Sequence, residues 1–333
     1  MDFQQTDDRR LLRDTLTRYL AEQYPFEHRT QVAYAAPFHD PVKWAEMAEL
    51  GVLHALVPEA QGGLGGTGFD ITTVFEALGS ALCPEPFLPA VMAVQLLGSG
   101  DLDPLLAGHR YGVGLSKVSV QDNKLSGRLS VVYGGGAAQT LLVVANGALF
   151  QVAAADAKIT AYGMIDGGGA AEVFLENTPA KRIADHANLA QAMDAGTLAL
   201  CAEAIGAIDA SFAMLTDYLK TRKQFGQTIG SFQAIQHRVV DLMTEIEQAR
   251  SITILAASRF GTDGQSRAIS MAKSLVGRVA QQVSEELIQL HGGIAMTWEH
   301  PASHYAKRLV MVDHQLGNSD AHLTRVAAQY FKV

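Results

Sequence analysis

The chain has 333 residues, 48% of them hydrophobic and 18% charged, with a formal net charge of -8. That length supports a large buried core and two or three structural units, and the composition excludes disorder and a nucleic-acid footprint. Two cysteines, Cys83 and Cys201, stand far apart with no metal-type cluster beside them, so a reducing, cytoplasmic setting is expected, and no stretch is expected to match the ~18 apolar residues of a membrane span.

Leu12, Leu16 and Leu20 share one face of a first helix that Pro25 stops. A second helix is expected from Pro41 to Leu50, followed by Gly51, which accepts the left-handed conformation without a Cβ penalty. The loop Gln61-Gly62-Gly63-Leu64-Gly65-Gly66 has no strand-loop-helix pattern around it and reads as a tightly fitted turn, not a phosphate cradle. A further helix should run from Asp70 to Leu78 and close at Gly79. Between Arg110 and Ala184 the apolar runs shorten to LSVVY, TLLVVA, LFQVAA and EVFLEN, which read as strands. Asn146-Gly147 favours a tight hairpin turn between two of them.

From Asn188 the helical period returns. Leu198, Cys201, Ile205, Ile208, Phe212, Leu215 and Leu219 form a seam for packing against neighbouring helices. One later helix carries Ile235, Val239, Leu242, Ile246 and Ala249, and another carries Ala272, Leu275, Val279, Val283 and Leu290. The fold class is therefore α+β, mainly α. An N-terminal helical domain is expected over residues 1-108, a reduced middle β domain over 109-185 and a C-terminal helical bundle over 186-333.

Three ordered segments carry a family resemblance. Arg222-Lys223-Gln224-Phe225-Gly226-Gln227-Thr228-Ile229 with Phe232-Gln233-Ala234-Ile235 is similar to the Arg-x-x-Phe-Gly…Gln signature of acyl-CoA dehydrogenases. Gln289-Leu290-His291-Gly292-Gly293 with Thr297-x-Glu299-x-Pro301 resembles the family's Gln-x-x-Gly-Gly…Thr-x-Glu-x-Pro segment, and Trp44 to Gly66 resembles its N-terminal domain. The resemblance implies a three-domain fold around FAD, with an oligomerising four-helix bundle whose Arg-x-x-Phe-Gly segment reaches a FAD held mainly by the neighbouring subunit. Arg222, Phe225, Gln233, Gln289, Gly292 and Gly293 are then the cofactor candidates. Arginine offers phosphate a planar fork of donors, and paired glycines let backbone N–H groups come close. Taken alone, Arg222 reads as a charge complementing a helix end and Gly292-Gly293 as a helix stop. His291 reads as a packed or capping histidine.

The family's reaction takes an α proton from an acyl thioester while the β hydrogen leaves as hydride, and the α proton needs a carboxylate base. Where most members carry Glu-Gly-Thr, this chain reads Leu316-Gly317-Asn318. The alternative position on the helix before Arg222 is Gly196; Asp194 lies two residues away, about 200° around the helix. Asp194, Asp313 and Asp320 are reserves that read first as solvated or capping acids. The stretch Val113-Gly114-Leu115-Ser116-Lys117-Val118 stands where the family keeps a flavin-ring loop, with Ser116 as one residual contact.

No catalytic residue is therefore assigned. The resemblance implies a subunit of a heteromeric acyl-CoA dehydrogenase, of the kind acting on steroid or bile-acid side-chain CoA thioesters. A homologous catalytic subunit would supply the base, and electrons would pass from FAD to an electron-transfer flavoprotein. The alternatives are an independent flavoenzyme with a relocated base, a non-catalytic dimerisation scaffold and a monooxygenase-like relative.

Overall fold

The computed structural model describes residues 6–115 and 117–331. Ser116, the residual flavin contact considered above, lies outside them. Helices α1 (Asp7–Gln23), α2 (Phe26–Ala33), α3 (Pro41–Glu49), α4 (Val52–Ala55), α5 (Gly68–Ser80), α6 (Phe87–Leu97) and α7 (Asp103–Leu106) come first. Eight strands follow: β1 (Tyr111–Gly114), β2 (Ser119–Gln121), β3 (Lys124–Tyr133), β4 (Thr140–Ala145), β5 (Ala148–Ala153), β6 (Lys158–Gly163), β7 (Gly169–Pro179) and β8 (Lys181–Ala184). The chain then returns to helix in α8 (Leu189–Thr221), and the two-stranded hairpin of β9 (Lys223–Gln224) and β10 (Gln227–Thr228) leads into α9 (Gln233–Arg259). It ends in α10 (Gln265–His291), α11 (Pro301–His314) and α12 (Ser319–Phe331).

Two compact units share these elements. One runs to Glu22, resumes over Thr72–Cys83 and includes everything from Thr197; the other holds Gln23–Ile71 and Pro84–Gly196. In the first unit the expected seam of α8 is largely buried: Leu198, Cys201, Ile205, Ile208, Leu215 and Leu219 are in the core, while Phe212 is half-buried. α10 lies at the centre of this unit, packed against α9, α11 and α12.

Gly79 corrects one expectation, because α5 passes straight through it to Ser80. Its role is close approach. A Cβ on Gly79 would stand 2.0 Å from the Glu203 carbonyl oxygen, and one on Gly206 would stand 1.9 Å from that of Glu76. Each helix thus presents a bare backbone to the other, and the crossing is closer than any side chain allows. A second correction concerns α8, which holds an 18-residue window of mean hydropathy 1.7 and so matches a membrane span in length and composition. Since 72% of that window is buried inside the protein, packing accounts for the apolar run.

In the second unit the eight-stranded sheet has the order β6-β7-β3-β1-β4-β5-β8, with β2 paired to β3. Leu125, Leu129, Val132, Leu141, Val143, Phe150, Val152, Val173 and Leu175 form its core. From Leu129 to Val132 is an odd step, which strict alternation forbids. A register shift against β7 between these two residues returns both side chains to one face. Asn146 (φ 49) and Gly147 (φ 80) form the expected turn between β4 and β5. The glycine loop is tight, as its sequence suggests: a Cβ on Gly63 would stand 1.9 Å from the Val57 carbonyl oxygen.

Glu85 sits just before α6 and is buried. Its Oε1 accepts from the Tyr24 hydroxyl at 2.6 Å and from the Asp40 backbone N–H at 2.8 Å, while Oε2 has no hydrogen-bond partner among the described residues. Burial, which disfavours the charged form, raises its pKa to about 7 despite the two donors. Because the folded value lies above the unfolded one, the stabilisation is complete below the unfolded pKa and is lost as pH rises through about 7. Glu85→Gln keeps an acceptor and never ionises. Its melting temperature should match wild type near pH 5 and exceed it at pH 8.5, a gap worth roughly 2–3 kcal/mol. Parallel melting curves across that range would refute the assignment.

Candidate functional site

α8 brings Arg222 to one end of its bundle. The Arg222 backbone N–H still bonds the Tyr218 carbonyl at 2.8 Å, and the Ile229 N–H bonds the Arg222 carbonyl at 2.9 Å, which closes the β9–β10 hairpin at its base. At the tip, Phe225 (φ 54) and Gly226 (φ 83) both take left-handed conformations, as a two-residue hairpin turn of this hand requires. Glycine takes that conformation freely, but an aromatic residue does so under strain. Phe225 is also 91% exposed, touching Phe232 edge-on at 6.2 Å between ring centres. Arg222 is exposed too, and its guanidinium has no partner among the described residues.

α10 ends at the same place. Leu215 and Leu219 of α8 pack with Leu287 and Leu290 of α10, Ala302 and Ala306 of α11, and the flanking Ile229 and Ile235. The His291 ring stacks on Tyr218 at 4.7 Å. Gly292 (φ 70) ends α10 and starts the 3-10 turn Gly292–Met296. Both Gly292 and Gly293 are exposed, and a Cβ on either would meet nothing within 4 Å. Gln289 is exposed on the last turn of α10, and Gln233 is the exposed first residue of α9. All six sequence candidates therefore lie on elements that meet at one end of the bundle.

Whether these residues suit the nucleotide end of a dinucleotide follows from their chemistry. They offer a free guanidinium fork for phosphate, an exposed aromatic face for a base, and open glycine backbone that a ligand can approach. They fit it.

The Leu316 segment has a different character. Leu316 is buried at φ 56, and its carbonyl accepts from His322 Nε2 at 3.2 Å. Gln315, beside it, accepts from Arg308 Nη1 at 2.8 Å, while Arg308 donates through Nε and Nη2 to both Glu203 carboxylate oxygens at 2.6 Å. Lys273, fully buried, donates to the Val312 carbonyl and to that of Asp313 at 3.1 Å, placing a cation at the negative end of α11. Burial lowers the Lys273 pKa, and the nearby Cys201 thiol, also buried, is pushed up to about 12. This segment is held by His322, Arg308 and Lys273 and carries no proton acceptor at Leu316.

The reserve acids are placed as follows. Asp313 Oδ1 accepts from the Ser319 N–H at 2.8 Å and Oδ2 from the Ser319 hydroxyl at 3.2 Å. A Cβ on Gly277 would reach within 2.0 Å of Asp313 Oδ1, so the carboxylate is enclosed as well as bonded. Asp194 is half-buried on α8, and Asp320 is exposed in the first turn of α12. Sequence inspection missed the Glu203–Arg308 pair, because no motif links two residues 105 positions apart.

Glu203→Ala should leave the Arg308 guanidinium buried without its carboxylate, costing roughly 3–5 kcal/mol in urea unfolding. The double change Glu203→Leu with Arg308→Leu should recover most of that loss. A single variant as stable as wild type would show that the pair has no such weight.

Residues 187–331 match the acyl-CoA dehydrogenase C-terminal domain, and residues 6–100 match the acyl-CoA dehydrogenase N-terminal domain. Acyl-CoA dehydrogenase IpdE2 of Mycolicibacterium smegmatis is 31% identical over 331 residues, covering 98% of this chain and 100% of the relative. Among solved structures, a variant of the Tcur3481-Tcur3483 steroid ACAD superposes with a TM-score of 0.89 at 24% identity, covering 98% of each chain. The ChsE4-ChsE5 complex from Mycobacterium tuberculosis does so with a TM-score of 0.89 at 22% identity over 100% of each chain. Both structures share the fold.

Proposed function

The chain belongs to the acyl-CoA dehydrogenase family, and from that premise we propose that it is a flavoprotein subunit that grips the nucleotide end of a FAD shared with a homologous, base-bearing partner. The observation that carries this reading is the hairpin tip. Phe225 holds a left-handed backbone conformation and exposes 91% of its surface, next to an arginine with no partner among the described residues. Strain and exposure together are unfavourable in the lone chain. Both are offset if the hairpin closes on a ligand and a second subunit.

FAD supplies the acceptor for the hydride that leaves the acyl β carbon. Arg222 binds pyrophosphate oxygens, the Gly292-Gly293 backbone approaches the nucleotide, Gln233 and Gln289 offer amide donors and acceptors, and Phe225 covers an apolar face. The α proton goes to a carboxylate of the partner, because a leucine stands at residue 316 and both Asp313 oxygens are engaged. The outer face of α9 supports such an assembly. Val240, Met243 and Leu255 are exposed there, on the side opposite the buried Leu242, Ile246 and Ala249, and with Ile252 and Leu275 they line an open apolar groove.

The assembled enzyme then performs α,β-dehydrogenation of an acyl-CoA and passes electrons to an electron-transfer flavoprotein. By analogy with the steroid ACAD neighbour, the acyl group is of the steroid side-chain class. That neighbour and the ChsE4-ChsE5 complex share the fold of this chain and lend the analogy its support.

Arg222→Ala in the assembled complex should weaken FAD binding by about 10- to 100-fold, the loss of a charged hydrogen bond to phosphate worth ~1.5–3 kcal/mol, and leave the unfolding midpoint of the apo chain unchanged. The chain purified alone should not oxidise acyl-CoA. Unchanged FAD affinity in the variant, or flavin reduction by acyl-CoA with the lone chain, would reject the proposal.

A further inference from the structure

His291, the last residue of α10, is only 3% exposed. Its Nδ1 lies 2.8 Å from the Leu287 carbonyl oxygen. A carbonyl can only accept, so in the neutral ring Nδ1 carries the hydrogen and Nε2 presents a bare lone pair. Burial holds the ring pKa below its ordinary value; the Leu287 hydrogen bond opposes it and the neighbouring His300 acts with it. Nε2 is buried and has no hydrogen-bond partner among the described residues. The ring is stacked on Tyr218 and meets His300 edge-on at 5.2 Å. His300 Nδ1 is already used, accepting from the Ala302 N–H at 3.2 Å as the N-cap of α11.

A buried acceptor without a donor is costly, and a native structure normally supplies the donor from solvent or a ligand. His291 immediately precedes Gly292 and Gly293, whose backbone is open, and its ring stacks on Tyr218, whose carbonyl holds the first residue of the Arg222 hairpin. We infer that His291 is a nucleotide-binding residue whose Nε2 accepts a hydrogen bond from a hydroxyl or exocyclic amine of the adenosine diphosphate moiety gripped by Arg222. This rests on the FAD reading and adds to it a residue that accepts hydrogen bonds where the arginine donates them. The chemistry required is an adenosine donor beside a diphosphate. FAD and coenzyme A both contain one, and the FAD reading commits the site to the former.

The test uses the chain assembled with its partner and stripped of flavin, with ADP, FAD and coenzyme A as separate titrants, followed by calorimetry and by the ¹⁵N resonances of the histidine rings. ADP and FAD should each move the His291 Nε2 resonance upfield, with coenzyme A weaker than either. His291→Phe keeps the stacking on Tyr218 and should weaken ADP about tenfold without lowering the melting temperature of the apo chain, since it also removes an unsatisfied acceptor. His291→Gln returns an acceptor and should recover most of the affinity. If His291→Phe binds ADP as wild type does while Arg222→Ala abolishes binding, the inference fails alone and a resident water satisfies Nε2. If the wild-type assembled complex binds neither ADP nor FAD, the FAD reading fails and this inference falls with it. Tighter binding of coenzyme A than of FAD would overturn the assignment to the flavin nucleotide.

Discussion

The crossing of α5 and α8 at Gly79 and Gly206 is the constraint on which the bundle depends. Each glycine faces a backbone carbonyl of the other helix at a distance no side chain tolerates, so the two axes approach more closely than side-chain packing permits. The contact is reciprocal, and it fixes both the translation and the rotation of α8. Glu203, one turn before Gly206, is thereby set to pair with Arg308, and the far end of the same 33-residue helix is set to deliver Arg222. A rigid rod held at its middle fixes the position of a group at its end without any contact between the two.

The same bundle closes off the segment where catalysis would need a proton acceptor. Arg308, Lys273, His322 and the Asp313–Ser319 pair hold the chain from residue 312 to residue 319, and the side chain enclosed there is a leucine. A buried ion pair adds little net stability against apolar packing but is costly to break, so this segment is fixed in one conformation more than it is strengthened. Rigidity at residue 316 and exposure at residue 225 are complementary. One end of the unit is finished within the chain, and the other leaves Phe225 exposed and the Arg222 guanidinium without a partner among the described residues.

The second unit follows a separate logic. Its sheet is filled by β-branched and leucine side chains with bulges that correct the alternation, and a glycine-rich loop closes on the Val57 carbonyl. A charged tension within it is Glu85, buried with both donors on a single oxygen, so that proton uptake and packing are coupled near neutral pH.

Residue order by itself determined the elements and the motifs that carry the family resemblance. Leucine spacing set α1 and α8, Asn146-Gly147 set its turn, and the Arg222 and Gln289 segments carried the family resemblance, because these signals are local periodicities or short fixed spacings. The absence of a carboxylate at residue 316 was equally legible, being a matter of composition at one position. Gly79 was misread as a helix end because a glycine that stops a helix and one that admits a neighbouring backbone are the same letter; only the partner helix distinguishes them. The Glu203–Arg308 pair, the burial of Lys273 and the orphan nitrogen of His291 were decided by tertiary structure alone. Each depends on which helices meet, and contact between residues far apart in the chain leaves no pattern in one sequence.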